Sequence, residues 1–178
     1  EEELLVGRLF VLMEIDQSRS EDFAVADFIV KEIYKHYYEN EQFFLRDKIS
    51  NLKIDYIFEA ALTKLNRGIA EFLETQKIVL RPGSLNIVIG VLHKSRLLFA
   101  HTGANKAMLL YRPKAKSNGM LLDYNLLDIS EKTQDPTQEL ASQNKLFANV
   151  VNGVIPSQGY FFFANEAVLE YLSKKQLL

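Results

Sequence analysis

In residues 81–112, RPGSLNIVIGVLHKSRLLFAHTGANKAMLLYR, a helical pattern gives way to three β-rich runs. Arg81–Pro82–Gly83–Ser84 is the break, since proline and glycine together stop a helix. The runs Leu85–Leu92, Arg96–His101 and Lys106–Arg112 are dominated by Leu, Ile, Val and Phe. Lys94–Ser95 is a hairpin-length connection between the first two, and Gly103–Ala104–Asn105 joins the next two. Three consecutive antiparallel strands are expected.

Upstream, Leu9–Met13 is an unbroken apolar run, as expected of a strand buried on both faces, and it ends in a polar loop, Glu14–Ser18. From Glu21 the period changes. Val25, Ile29, Ile33 and Tyr37 recur every four residues, the stripe of an amphipathic helix that stops near Asn40. Glu41–Lys53 is irregular, with Phe43, Phe44 and Leu45 expected in the core. Ile54, Phe58, Ala61, Leu65, Ile69 and Phe72 are spaced 4, 3, 4, 4 and 3, which faces one side only on a helix.

Downstream, Pro113–Gly119 reads as a polar loop, and Met120–Leu122 and Leu126–Ile129 as two short strands. Residues 130–144, SEKTQDPTQELASQN, read as a surface loop long enough to form a flap. Phe147, Val150 and Val151 return to the core, Tyr160–Phe163 is a last buried strand, and a helix spans Glu166–Ser173. A strand, two helices, a run of strands, then strand and helix predict an α+β fold with two helices stacked on an antiparallel sheet.

With 178 residues, 48% of them hydrophobic, the chain reads as one domain with a sizeable core. Its 21 basic and 23 acidic residues leave a net charge of −2, so no global field draws it to nucleic acid or an anionic membrane. It contains no cysteine, which removes disulfides, thiolate nucleophiles and zinc fingers, and suits a reducing, cytoplasmic setting. His36, His93 and His101 lack metal-ligand spacing. The apolar runs are strand-sized, short of the roughly 20 residues of a membrane helix, so any membrane tether would lie outside this segment. No nucleophile elbow, P-loop or dinucleotide fingerprint occurs.

Four landmarks, in order, resemble the PPM (2C-type) metal-dependent serine/threonine phosphatases. In that family a buried strand runs into Asp-Gly-x-Gly-Gly; here Leu9–Met13 runs into Glu14–Ile15–Asp16–Gln17–Ser18. The family's Gly-Thr-Thr is matched by Gly83–Ser84–Leu85, and its Gly-Asp-Ser-Arg by Gly103–Ala104–Asn105–Lys106. Its late Ser-Asp-Gly-Leu becomes Ala164–Asn165–Glu166–Ala167. The resemblance covers nearly the whole chain. It implies an α-β-β-α sandwich of antiparallel sheets flanked by helices, a single domain over residues 1–178 that lacks the family's terminal elements at both ends.

The family chemistry implied by the resemblance uses two divalent cations, held by carboxylates, to activate a water. Here the expected ligand positions are degenerate. Glu14 and Asp16 are the relict acids of the first loop, Ile15 replaces a glycine, Ala104 removes the turn carboxylate, and Asn165 offers an amide. Residue type alone favours a solvated acidic loop leading into the next helix for Glu14 and Asp16, and an N-cap for Asn165. Asn105 and Lys106 are a candidate binding face, or else a turn residue and a strand-edge lysine. The expectation is therefore a non-catalytic domain with no cofactor that binds a protein or peptide, or a second copy of itself. The alternative is a divergent active phosphatase using Mg or Mn.

Overall fold

The computed structural model describes residues 2–15, 19–39, 53–81, 84–113, 123–130, 145–165 and 167–171. These form α1 (Glu2–Val6), β1 (Arg8–Ile15), α2 (Ser20–Tyr38), α3 (Ile54–Gln76), β2 (Leu85–His93), β3 (Arg96–Thr102), β4 (Lys106–Tyr111), β5 (Asn125–Asp128), β6 (Val151–Val154), β7 (Tyr160–Ala164) and α4 (Ala167–Tyr171). The strands make two antiparallel sheets, in the orders β1-β2-β3-β6 and β5-β4-β7. The architecture is α+β, as the order of elements predicts. Among the described residues no helix is long and apolar enough to cross a membrane.

Both long helices bury the stripes their periodicity marks. Val25, Ile29, Ile33 and Tyr37 of α2 are fully buried, and so are, or nearly so, Ile54, Phe58, Ala61, Leu65 and Ile69 of α3. Phe72 is partly buried and stacks on Phe28 across the helix pair, with ring centroids 4.4 Å apart. Acidic Glu21 and Asp22 in the first turn of α2, and Lys35 in its last, complement the helix dipole. Helix α3 stops where Lys77 adopts a left-handed φ of 56°, which lets Ile78 N donate to Leu73 O at 2.9 Å and satisfies a terminal carbonyl.

Strand alternation then builds three layers. Ile87, Ile89 and Val91 of β2, with Leu98 and Ala100 of β3, share one core with the helices. The intervening Val88, Leu97 and Phe99 face the other way and pack with Ala107, Ile129 and the partly buried Phe10, Phe161 and Phe163 between the sheets. Gly90 lies on that inner face because Phe10 covers it: a Cβ there would fall 2.3 Å from the Phe10 ring. The order is helices, four-stranded sheet, three-stranded sheet.

The end of α2 also clamps the start of β1. Tyr37 Oη donates to Val6 O at 2.5 Å, while Tyr38 Oη accepts from Leu9 N at 2.9 Å and donates to Gly7 O at 3.2 Å. Burial raises the pKa of both phenols, so they stay protonated donors.

Several expectations need correction. β3 and β4 do not pair: β3 lies between β2 and β6, whereas β4 lies between β5 and β7. Gly103–Asn105 is therefore a crossover between sheets, not a hairpin, because alternation encodes which face is apolar but not which strand is the partner. β1 is only half-buried, with Leu12 43% exposed, since it borders its sheet among the described strands. Tyr160 is exposed and the three phenylalanines after it are partly buried. Strands end later than expected at Ile15, His93 and Thr102, and Leu126–Ile129 becomes Asn125–Asp128. β6 and α1 are additions to the expected elements; Val151-Asn152-Gly153-Val154 carries no apolar run to mark it. The expectations for residues 41–52, 120–122 and 131–144 lie outside the described residues.

Phe58→Ala empties a fully buried position between helix and sheet and should cost about 3–5 kcal/mol in urea denaturation.

Candidate functional site

Five strands, β1, β2, β3, β4 and β7, bring polar residues to one end of the sandwich. Glu14, near the end of β1, stands opposite Asn86 at the start of β2. Ile87, the next residue of β2, stands opposite Thr102, from which Gly103–Asn105 cross to the other sheet. There Lys106 stands opposite Ala164, and Asn165 follows directly. The crossover starts with Gly103 at φ +82°, a conformation that favours glycine, and a Cβ on it would fall 2.1 Å from Asn86 Oδ1.

Hydrogen bonds join Glu14, Asn86, Ala104 and Asn165 into one network. Glu14 Oε2 accepts from Asn86 Nδ2 at 3.1 Å, and Glu14 Oε1 from Asn165 Nδ2 at 3.3 Å. The other end of the Asn86 amide, Oδ1, accepts from Ala104 N at 2.9 Å. Glu14, Ala104 and Asn165, far apart in sequence, are thus brought together. Asn86 is absent from the candidates that sequence reasoning yields, although a carboxamide inside the apolar run LNIVIGVL was the available signal.

Other candidates behave differently. Glu14 is on a strand rather than in a loop, and the Asn165 side chain turns to Glu14, while its backbone O accepts from Val168 N at 3.3 Å. Asn105, expected on an open face, is 3% exposed. Lys106 lies on a central strand and pairs with Asp128 at 3.7 Å. Asp128 Oδ1 in turn accepts from Ser130 N at 2.9 Å and from Ser130 Oγ. Asp16 lies outside the described residues. Asp22, also unforeseen, is fully buried in the first turn of α2. A separate surface cavity of about 450 Å³ lies at the opposite end of β1 and β2, lined by Gly7, Arg8, Leu92, His93 and Lys94, and shares no residue with this network.

The layered sheets with paired helices on one face match solved structures along almost the full chain. The Mycobacterium tuberculosis serine/threonine phosphatase PstP/Ppp matches 96% of this chain and 73% of its own, at 12% identity and a TM-score of 0.57. The chain has the fold of the PPM-type phosphatases. PppA, a key regulatory component of T6SS in Pseudomonas aeruginosa, matches 97% of this chain and 70% of its own, at 11% identity and a TM-score of 0.58. The catalytic domain of PstP in complex with two manganese ions matches 96% and 72%, at 13% identity and a TM-score of 0.51. No family model and no curated protein matches the sequence.

A PPM-type fold raises the question of whether these residues fit a pair of divalent cations. Hard cations need several oxygen ligands, mostly carboxylates. The described end of the sandwich supplies the Glu14 carboxylate, with both oxygens already facing amide N–H groups, and a methyl at Ala104. Among the described residues no three His, Asp or Glu side chains come together as a metal site. The described donor set does not fit two cations.

Two outcomes follow from this geometry. Gly103→Ala should cost about 1–3 kcal/mol, through backbone strain and displacement of Asn86, measured by urea denaturation. The second concerns His101, which is buried and whose pKa is lowered by burial and by Lys106, against the opposing pull of Asp128. The unfolded chain then binds more protons below the ordinary histidine value of 6.5, so stability falls as pH drops through that range. His36 contributes with the same sign. The urea midpoint should fall between about pH 7 and about pH 5, and His101→Gln should reduce that fall.

Proposed function

We propose that this chain is a non-catalytic, PPM phosphatase-like domain that acts by binding a protein or peptide. The observation that carries this reading is the state of Glu14: its two oxygens are engaged by the Asn86 and Asn165 amides. Two-metal hydrolysis requires cations that activate water and stabilise the phosphoryl group. One carboxylate hydrogen-bonded on both oxygens supports neither role. The loop-bearing end around Glu14, Gly103–Lys106 and Asn165 is the proposed binding face, because loops on a rigid scaffold commonly carry recognition. A second copy of the chain is an alternative occupant, and a cytoplasmic setting is the corresponding proposal for location.

The second reading is a divergent Mg- or Mn-dependent serine/threonine phosphatase. It is favoured by the carboxylate retained at Glu14 and by the fold shared with PstP, which is described as a serine/threonine phosphatase.

Titration calorimetry with manganese chloride and a p-nitrophenyl phosphate assay separate the two. The expected outcome for the wild type is no micromolar manganese binding and no hydrolysis above buffer, with Asn165→Asp alone creating no hydrolysis. Saturable binding with manganese-dependent turnover transfers the conclusion to the second reading. Crosslinking mass spectrometry on the native protein tests the binding face: partner crosslinks should map to the Glu14–Asn165 end, and a map confined to α2 and α3 overturns it.

A further inference from the structure

Glu14 and Asn165 belong to different layers. Glu14 is in β1 of the four-stranded sheet, and Asn165 directly follows β7 of the three-stranded sheet, so their 3.3 Å hydrogen bond spans the two. Asn86 makes a second span. It belongs to the four-stranded sheet and accepts from Ala104 N, in the segment that crosses to the three-stranded sheet, while its amide nitrogen holds Glu14.

The polarity of this relay is determined. A carboxylate only accepts hydrogen bonds, so both amides must present nitrogen to Glu14. Asn86 is held further: turning its oxygen toward Glu14 would set its NH2 against the Ala104 N–H, donor against donor. A cation at Glu14 would therefore meet the positive ends of two amides, and Asn86 could offer it oxygen only by abandoning Ala104.

We propose that Asn165–Glu14–Asn86–Ala104 is a metal-independent tie between the two sheets, which holds the loop-bearing end in one geometry at any divalent-cation concentration. This rests on the non-catalytic reading above and deepens it. A cation bridge and a hydrogen-bonded relay are alternative ways to place a carboxylate beside its neighbours, and here amide N–H groups hold the two oxygens of Glu14 in place of a metal. Binding at this face then requires no magnesium or manganese.

Swapping donor and acceptor tests the tie. Asn165→Asp sets a second carboxylate against Glu14, and like charges at hydrogen-bond distance repel. In low-salt buffer with EDTA this variant should lose about 2–6 °C in Tm. Magnesium chloride should restore much of the loss by bridging the two carboxylates. Adding Glu14→Gln to Asn165→Asp reverses the bond: the amide nitrogen introduced at position 14 donates to the carboxylate introduced at position 165, while the amide oxygen still accepts from Asn86. The double variant should recover the wild-type Tm without any cation. Asn165→Ala, which removes the bond without adding charge, should lower Tm by a similar few degrees and show no magnesium effect. Wild type should have the same Tm in EDTA, magnesium or manganese.

A saturable rise in wild-type Tm with manganese overturns the proposal, as does a wild-type Tm for Asn165→Ala, or a double variant no more stable than Asn165→Asp. A neutral Asn165→Ala beside absent manganese-dependent hydrolysis removes the tie and leaves the non-catalytic reading intact. Hydrolysis that depends on manganese removes that reading itself.

Discussion

The four-stranded sheet has to be covered on both faces, and the remaining architecture answers that requirement. Its central strands carry apolar side chains in both directions, Ile87, Ile89 and Val91 on one side and Val88 with Phe99 on the other. Burial of a large aliphatic or aromatic side chain contributes about 1.5–3 kcal/mol, so neither face can be left to water. Helices α2 and α3 cover the first, and the three-stranded sheet covers the second. The helices gain as much from this as the sheet does, because an isolated helix of their length is marginal without an apolar surface to pack on.

Stacking two sheets also decides where polar groups can gather. The inner space between them is filled by Phe10, Phe99, Phe161 and Phe163, whose rings contact one another at centroid distances of 5.3 to 5.6 Å across the layers. Polar side chains collect instead at the strand ends, where the backbone leaves the sheet. Glu14, Asn86 and Asn165 meet there, and Lys106 with Asp128 and Ser130 forms a second polar group beside His101. Gly103 stands between them, as the crossover that lets one chain serve both sheets.

Fold and metal chemistry rest on different numbers of residues. The layered shape depends on many apolar positions, each replaceable by a side chain of similar size. That is how a chain 11–13% identical to its structural neighbours keeps their fold. Metal chemistry depends on a handful of carboxylates, none of which is replaceable by an alanine or an amide without changing charge. Function therefore has to be argued from the site and not from the shape. In this chain the site is a carboxylate held by carboxamides.

The sequence by itself determined the elements and their apolar faces. The four-residue spacing from Val25 to Tyr37 and the 4, 3, 4, 4, 3 spacing from Ile54 to Phe72 translate directly into buried stripes, because helical geometry is local. The order of its landmarks also pointed to Glu14, Ala104 and Asn165, which hydrogen bonds through Asn86 and Glu14 bring together. Only the tertiary structure decided that β3 and β4 lie in different sheets and that β1 borders one of them among the described strands. It alone revealed Asn86 as the residue joining Glu14 to Ala104, and showed Asn105 buried and Lys106 paired with Asp128. The physical reason is range. Periodicity records which side of an element is apolar, whereas strand partners and hydrogen bonds between residues 151 positions apart, as Glu14 and Asn165 are, depend on how distant elements pack.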